Sequence, residues 1–125
     1  MKAEELRLGN LVSNMNPRHN DSILTIESIG DNHEVNVFYR KYLLSELEPI
    51  PLNEEWLIKF GFEFHINANC QNFYYAKDAF ICIRADEDFE WFRYYNGDFY
   101  HELKYVHQLQ NLYFALTGEE LTLKP

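Results

Sequence analysis

An α+β fold is expected from two changes of pattern along this 125-residue chain. Before Asn53 the sequence runs in short, β-branched-rich stretches separated by polar turns, the pattern of strands. After it, two segments with helical spacing and glycine stops bracket a second set of alternating runs. The expected architecture is therefore a small N-terminal, strongly bent, SH3-like β-sheet, then a helix, an antiparallel β-meander and a C-terminal helix. The chain divides into a barrel-like lobe over residues 1–52 and an α+β lobe over 53–125, or forms one integrated domain. At this length it can bury a substantial core.

The first lobe is read from its strands and breaks. "LRLGNLVS" holds a turn or bulge at Gly9-Asn10, and "NMNPRHND" contains Pro17, which forbids a ladder hydrogen bond and places that loop outside. "SILTIESIG" and "EVNVFY" are joined by "GDNH" and read as a hairpin. "ELEPIPL" has two prolines two apart and suits an edge strand or an extended crossing segment. Asn53 then opens a short helix. It is a good N-cap, Glu54 and Glu55 follow where the helix dipole favours negative charge, and Gly61 ends the run. Leu52 and Leu57 occupy the positions of a hydrophobic staple.

The meander comprises "FEFHI", "NFYYAK", "AFICIRA" and the two arms of the aromatic stretch "FEWFRYYNGDFYHEL". In "AFICIRA", Phe80, Cys82 and Arg84 share one side, and Ile81 and Ile83 the other. With Asn96-Gly97 as a two-residue turn, Tyr94 faces Phe99 and Arg93 faces Tyr100. One face then carries Phe92, Tyr94, Phe99, His101 and Leu103 and is expected to be core. The other carries Phe89, Trp91, Arg93, Tyr95, Asp98, Tyr100 and Glu102, mixing rings with charges. Trp91, Arg93, Tyr95 and Tyr100 are the candidate binding residues, because such side chains recur at interface hot spots and can stack on bases. The alternative is that the terminal helix or the N-terminal lobe covers them. The list depends on the hairpin register, and a one-residue shift in the turn is expected to swap the faces.

The last helix follows from Val106, Leu109, Leu112, Tyr113 and Leu116 at helical spacing, stopped by Gly118. His107, Gln108 and Asn111 take the other side. Neutral polar residues there form a second candidate binding surface, or an ordinary exposed face.

Chemistry is constrained mostly by what the sequence does not contain. No GxSxG, HExxH, P-loop or dinucleotide glycine fingerprint is present. His19, His33, His65, His101 and His107 show no zinc-ligand spacing, and "ADEDFE" has no Gly or terminal Glu of a calcium loop. Cys70 and Cys82 form no CxxC pair and read as buried reduced thiols. No catalytic residues, metal or cofactor are therefore expected. The net charge of −9, from 20 acidic against 11 basic residues, repels a phosphate backbone, and Arg40-Lys41 is the one basic doublet. No apolar run has the length of a membrane span, and the start lacks a secretory signal, so a cytoplasmic protein is expected.

Three stretches together, "ELRLGNLV", "LEPIPLNEEWLIKFGF" and "KYVHQLQNLYFALTGEELTL", resemble a family of small proteins encoded by phages and integrated mobile elements of gut Bacteroidetes. The resemblance covers both ends and the middle of the chain, and not residues 63–103. That family carries no assigned activity, so it implies no catalytic residues. It implies a setting: a bacterial cytoplasm and a gene carried by a mobile element. The expected function is a non-catalytic interaction protein binding another protein. An acidic nucleic-acid mimic that blocks a host defence enzyme is the second possibility, and a single-strand nucleic-acid binder using the aromatic hairpin is the third.

Folding should accordingly need neither metal nor disulfide. Addition of chelator or of reductant is expected to leave the thermal melting midpoint unchanged, as followed by circular dichroism.

Overall fold

The computed structural model describes residues 6–14, 23–29, 34–37, 40–43, 47–69, 71–76, 81–96 and 98–123. The loop around Pro17, together with His19, His33, Tyr39, Cys70, Phe80 and Gly97, lies outside the described residues. The fold is α+β. By spatial proximity the chain forms two compact units: Met1–Ile50 with Tyr105–Asn111, and Pro51–Lys104 with Leu112–Pro125. The sequence division assigned the whole terminal helix to the second lobe. In the structure its first half groups with the N-terminal residues instead.

Among the described residues the first unit holds two three-stranded antiparallel sheets. In one, β1 (Leu11–Asn14) is central between β2 (Ile23–Thr25) and β6 (Leu47–Pro49); in the other, β4 (Glu34–Val37) is central between β3 (Ser28–Ile29) and β5 (Arg40–Leu43). The described strands do not close into one barrel. The "SILTIESIG" run is split at Ile26-Glu27, so that its first part pairs with β1 and its second with β4. Pro49 sits on an edge strand, opposite Val12, as its missing N–H requires.

A polar cluster joins this unit to the start of α2 (Val106–Thr117). Gly9 adopts a left-handed φ of 88°, which glycine takes without steric cost, and turns the chain into β1. The Gln110 side chain closes that turn: its Oε1 accepts from the Leu11 N–H at 2.9 Å and its Nε2 donates to the Gly9 carbonyl at 3.1 Å. Asn10 is fully buried; its Oδ1 accepts from the Arg7 N–H at 2.6 Å, and its Nδ2 donates to Asn111 Oδ1 at 2.9 Å. Arg7 Nε reaches the same Asn111 oxygen at 2.9 Å. The same unit buries Leu6, Leu11, Val12, Ile26, Leu47, Ile50, Val106 and Leu109.

The second unit opens with α1 (Glu54–Lys59). Asn53 is its N-cap, with extended backbone and its Oδ1 accepting from the Trp56 N–H at 3.0 Å. Gly61 ends it at φ 91°, and the Gly61 N–H to Ile58 O (2.9 Å) and Phe62 N–H to Leu57 O (3.0 Å) bonds complete a Schellman cap. Six residues cannot hold a helix unaided, and the burial of Trp56 and Leu57 supplies the rest. The chain then runs up and down through β7 (Glu63–Ile66), β8 (Asn72–Ala76), β9 (Ile81–Ala85), β10 (Phe92–Asn96) and β11 (Phe99–Glu102), an antiparallel meander in sequence order. On its inner face Tyr74, Ile81, Ile83, Ala85 and Phe92 are buried, as is Leu103 just beyond β11.

In α2 the buried side differs from the expected apolar stripe. Val106, His107, Leu109 and Gln110 are buried, Leu112 and Tyr113 are half-buried, and Leu116 is exposed at 46%. Gln110 is buried because the surface it meets, the Gly9–Leu11 turn, presents a backbone donor and an acceptor, whereas buried His107 stacks on Tyr105. Gly118, at φ 74°, ends it. Gln110→Leu fills similar space but leaves the Leu11 N–H and the Gly9 carbonyl unpaired. It should cost about 2 kcal/mol or more in urea unfolding monitored by circular dichroism.

Candidate functional site

The site is built on the outer face of the five-stranded sheet. Strand parity sends alternate residues there: Tyr100 and Glu102 from β11, Arg93 and Tyr95 from β10, Cys82 and Arg84 from β9, and Phe73 and Tyr75 from β8. The hairpin closes one residue later than expected: Asn96 pairs with Phe99, Tyr95 with Tyr100, Tyr94 with His101 and Arg93 with Glu102. This corrects both the register and the expected swap of faces. Moving a two-residue turn by one position displaces both arms together and keeps each side chain on its face; only a change of loop length reverses them.

All four candidate residues come together. The Tyr95 and Tyr100 rings lie 5.6 Å apart, centroid to centroid. The Arg93 guanidinium lies 4.1 Å from the Trp91 centroid and 4.5 Å from that of Tyr100, within the range of a cation–π contact. It also approaches Glu102 at 3.5 Å. Hydrogen bonding to Tyr95 raises the Arg93 pKa further above an already high ordinary value. Tyr95 and Tyr100 are 38% and 49% exposed, and Trp91 and Arg93 are half-buried. Rings and guanidinium thus hold one another in place on an open sheet face.

Two placements depart from the sequence expectation. The inner face of the hairpin is core only at its base: Phe92 and Leu103 are buried, whereas His101 is exposed and Phe99 is 78% exposed at the tip. Phe89 belongs to neither hairpin face. It lies in the Asp86–Trp91 connection with a left-handed φ of 56°, and its ring packs 6.0 Å from Phe64 and 6.4 Å from Tyr74 on the inner side. Asp86 Oδ1 fixes this connection by accepting from the N–H groups of Glu90 and Trp91.

The second candidate surface is corrected more deeply. His107 is fully buried and stacks on Tyr105, with centroids 5.8 Å apart and planes 6° from parallel. Gln108 Oε1 accepts from the Tyr105 N–H at 3.1 Å, the back-bond of a helix capping box. Asn111 accepts from Arg7 and Asn10. All three serve the fold around the helix start.

Sequence reasoning missed Arg84 as a member of the site. It stands directly opposite Arg93, with its guanidinium 6.0 Å from the Trp91 centroid and 5.9 Å from that of Tyr95. The available signal was a charged residue at the solvent-side parity of an otherwise apolar strand. A cleft of about 310 Å³ adjoins it, lined by Asn69, Gln71, Asn72, Arg84, Ala85, Asp86, Glu87 and Trp91. Cys82 lies on the same sheet face, and burial pushes its thiol pKa up, away from the reactive thiolate. Among the described residues no cluster of His, Cys, Asp and Glu could hold a metal ion, and no helix is long and apolar enough to cross a membrane.

Melting of alanine variants should separate the inner from the outer face. Phe92→Ala is expected to lose about 3–5 kcal/mol, the range for truncating a buried ring. Tyr100→Ala should stay within about 1 kcal/mol of the parent chain. In comparisons with known proteins, no family model, curated protein or solved structure matches this chain.

Proposed function

We propose that this chain is a non-catalytic interaction protein that offers the open face of its second unit to a protein partner. The observation that carries this reading is the convergence of Trp91, Arg93, Tyr95 and Tyr100 on one sheet face, with the two tyrosines exposed. Trp, Tyr and Arg dominate the energetic centres of interfaces. Mutual stacking also limits the rotamer freedom these side chains lose on binding. The raised Cys82 thiol pKa speaks against that residue as a nucleophile. The resemblance noted above adds the setting, a bacterial cytoplasm and a gene of phage or mobile-element origin.

A second reading, as a binder of single-stranded nucleic acid, is favoured by the two arginines beside Trp91. The net charge of −9 opposes it.

The immobilised protein should capture a partner from bacterial lysate in a nuclease-resistant manner. Tyr100→Ala, folded like the parent, should weaken that capture by about 2 kcal/mol, roughly thirtyfold in affinity. Capture abolished by nuclease would move the assignment to nucleic acid.

A further inference from the structure

We infer that Arg84 is an anion anchor and that the partner brings to it a carboxylate, from an Asp or Glu of an extended peptide segment. The inference rests on the reading of this face as a protein-binding surface and names the chemistry of what binds there. Arg84 and Arg93 occupy directly opposed positions on β9 and β10, where like charges repel. Arg93 is compensated by Trp91 at 4.1 Å, Tyr100 at 4.5 Å and Glu102 at 3.5 Å. Arg84 is not. It makes no ion pair among the described residues, and its two ring contacts, at 6.0 and 5.9 Å, lie at the outer limit for a cation–π interaction.

The cleft beside Arg84 has the features of a peptide site. Trp91 gives it an aromatic wall, and Asn69 brings an amide group suited to pairing with a peptide backbone, while the Gln71 Oε1 is held by Asn67 Nδ2 at 2.9 Å. The loop bearing these two is fixed by Asn67, whose Oδ1 accepts from the N–H groups of Asn69 (3.0 Å) and Gln71 (2.8 Å). A guanidinium at the edge of such a cleft matches a carboxylate in two-pronged geometry.

Charge decides between a peptide and a nucleic-acid strand. Asp86 and Glu87 line the same cleft. A phosphodiester chain carries a charge at every nucleotide and would be drawn past these carboxylates on a protein of net charge −9. A peptide needs to present one acid, and only at Arg84.

The test is selection of a displayed random-peptide library on the immobilised full chain, with oligo-dT as a parallel probe. Peptides enriched on the parent protein should share an acidic position. Replacing that acid by Gln should weaken binding roughly tenfold, the scale of one charge-assisted pair. Arg84→Gln should weaken the acidic peptide to the same extent and leave the Gln peptide unaffected, and Arg84→Lys should fall between. If Arg84→Gln fails to fold, Arg84→Lys measured against the acidic and the Gln peptide carries the test, and equal losses for the two peptides would overturn the assignment. Peptides that lack a shared acid yet are lost in Tyr100→Ala would overturn the Arg84 assignment and leave the face standing. Peptides indifferent to both Arg84→Gln and Tyr100→Ala, or no enrichment at all, would overturn both, whereas acidic peptides lost only in Arg84→Gln would keep the anchor and overturn the wider face. Oligo-dT bound through Arg84 in place of any peptide would reassign the anchor to phosphate.

Discussion

The Gln110 carboxamide does for the first unit what a neighbouring strand does inside a sheet. A primary amide carries the donor and acceptor of a peptide group, so a helix side chain can satisfy both the Gly9 carbonyl and the Leu11 N–H. That pairing holds a tight turn with Asn10 buried beneath it, the left-handed Gly9 half-buried and Leu8 facing solvent. The start of β1, the Gly9 N–H bond to Ile26 O at 2.8 Å and the Ile26 N–H bond to Asn10 O at 2.9 Å all follow from the turn being held there. Arg7 and Asn111 close the cluster from either side.

How much of this was legible in the sequence depended on the reach of each interaction. The cap and stop of α1 involve Asn53, Trp56, Leu57 and Gly61, partners a few residues apart, and their pattern is local. The meander was legible for the same reason, as each strand pairs with the next. The polar side of α2 was not. Asn111 looks solvent-facing because Arg7 and Asn10, which bind it, lie 104 and 101 residues away. Gln108 and His107 instead turn back on Tyr105, a local capping signal that apolar periodicity does not carry. The hairpin was intermediate: its turn was misplaced by one residue, yet its faces were read correctly because parity survives that error. Phe89 escapes strand parity because it lies in a loop, and Arg84 is missed because the order of strands does not fix the register that sets it opposite Arg93.

The two faces of the meander divide their work. Behind it, Ile81, Ile83, Tyr74 and Phe92 are buried and fix the sheet. In front, rings and guanidiniums brace one another in view of solvent. The connection between β9 and β10 ties the two sides together. Phe89 accepts an unfavourable left-handed backbone, and its ring contacts with Phe64 and Tyr74 offset that strain. Two residues later, Trp91 is directed to the front from a loop anchored behind. Preorganisation of this kind reduces the entropy lost on binding.

The discontinuity of the first unit also bears on how the chain is made. Arg7 and Asn111 are hydrogen-bonded partners 104 residues apart, and Leu11 waits for Gln110 across 99. During synthesis the N-terminal strands are made long before Gln110 and Asn111, so the cluster that holds their turn can be completed only once that helix has been made. The meander, whose pairings are between consecutive strands, has no such wait. Vectorial synthesis therefore favours an order in which the later-made unit forms its sheet first and the earlier-made one is completed last.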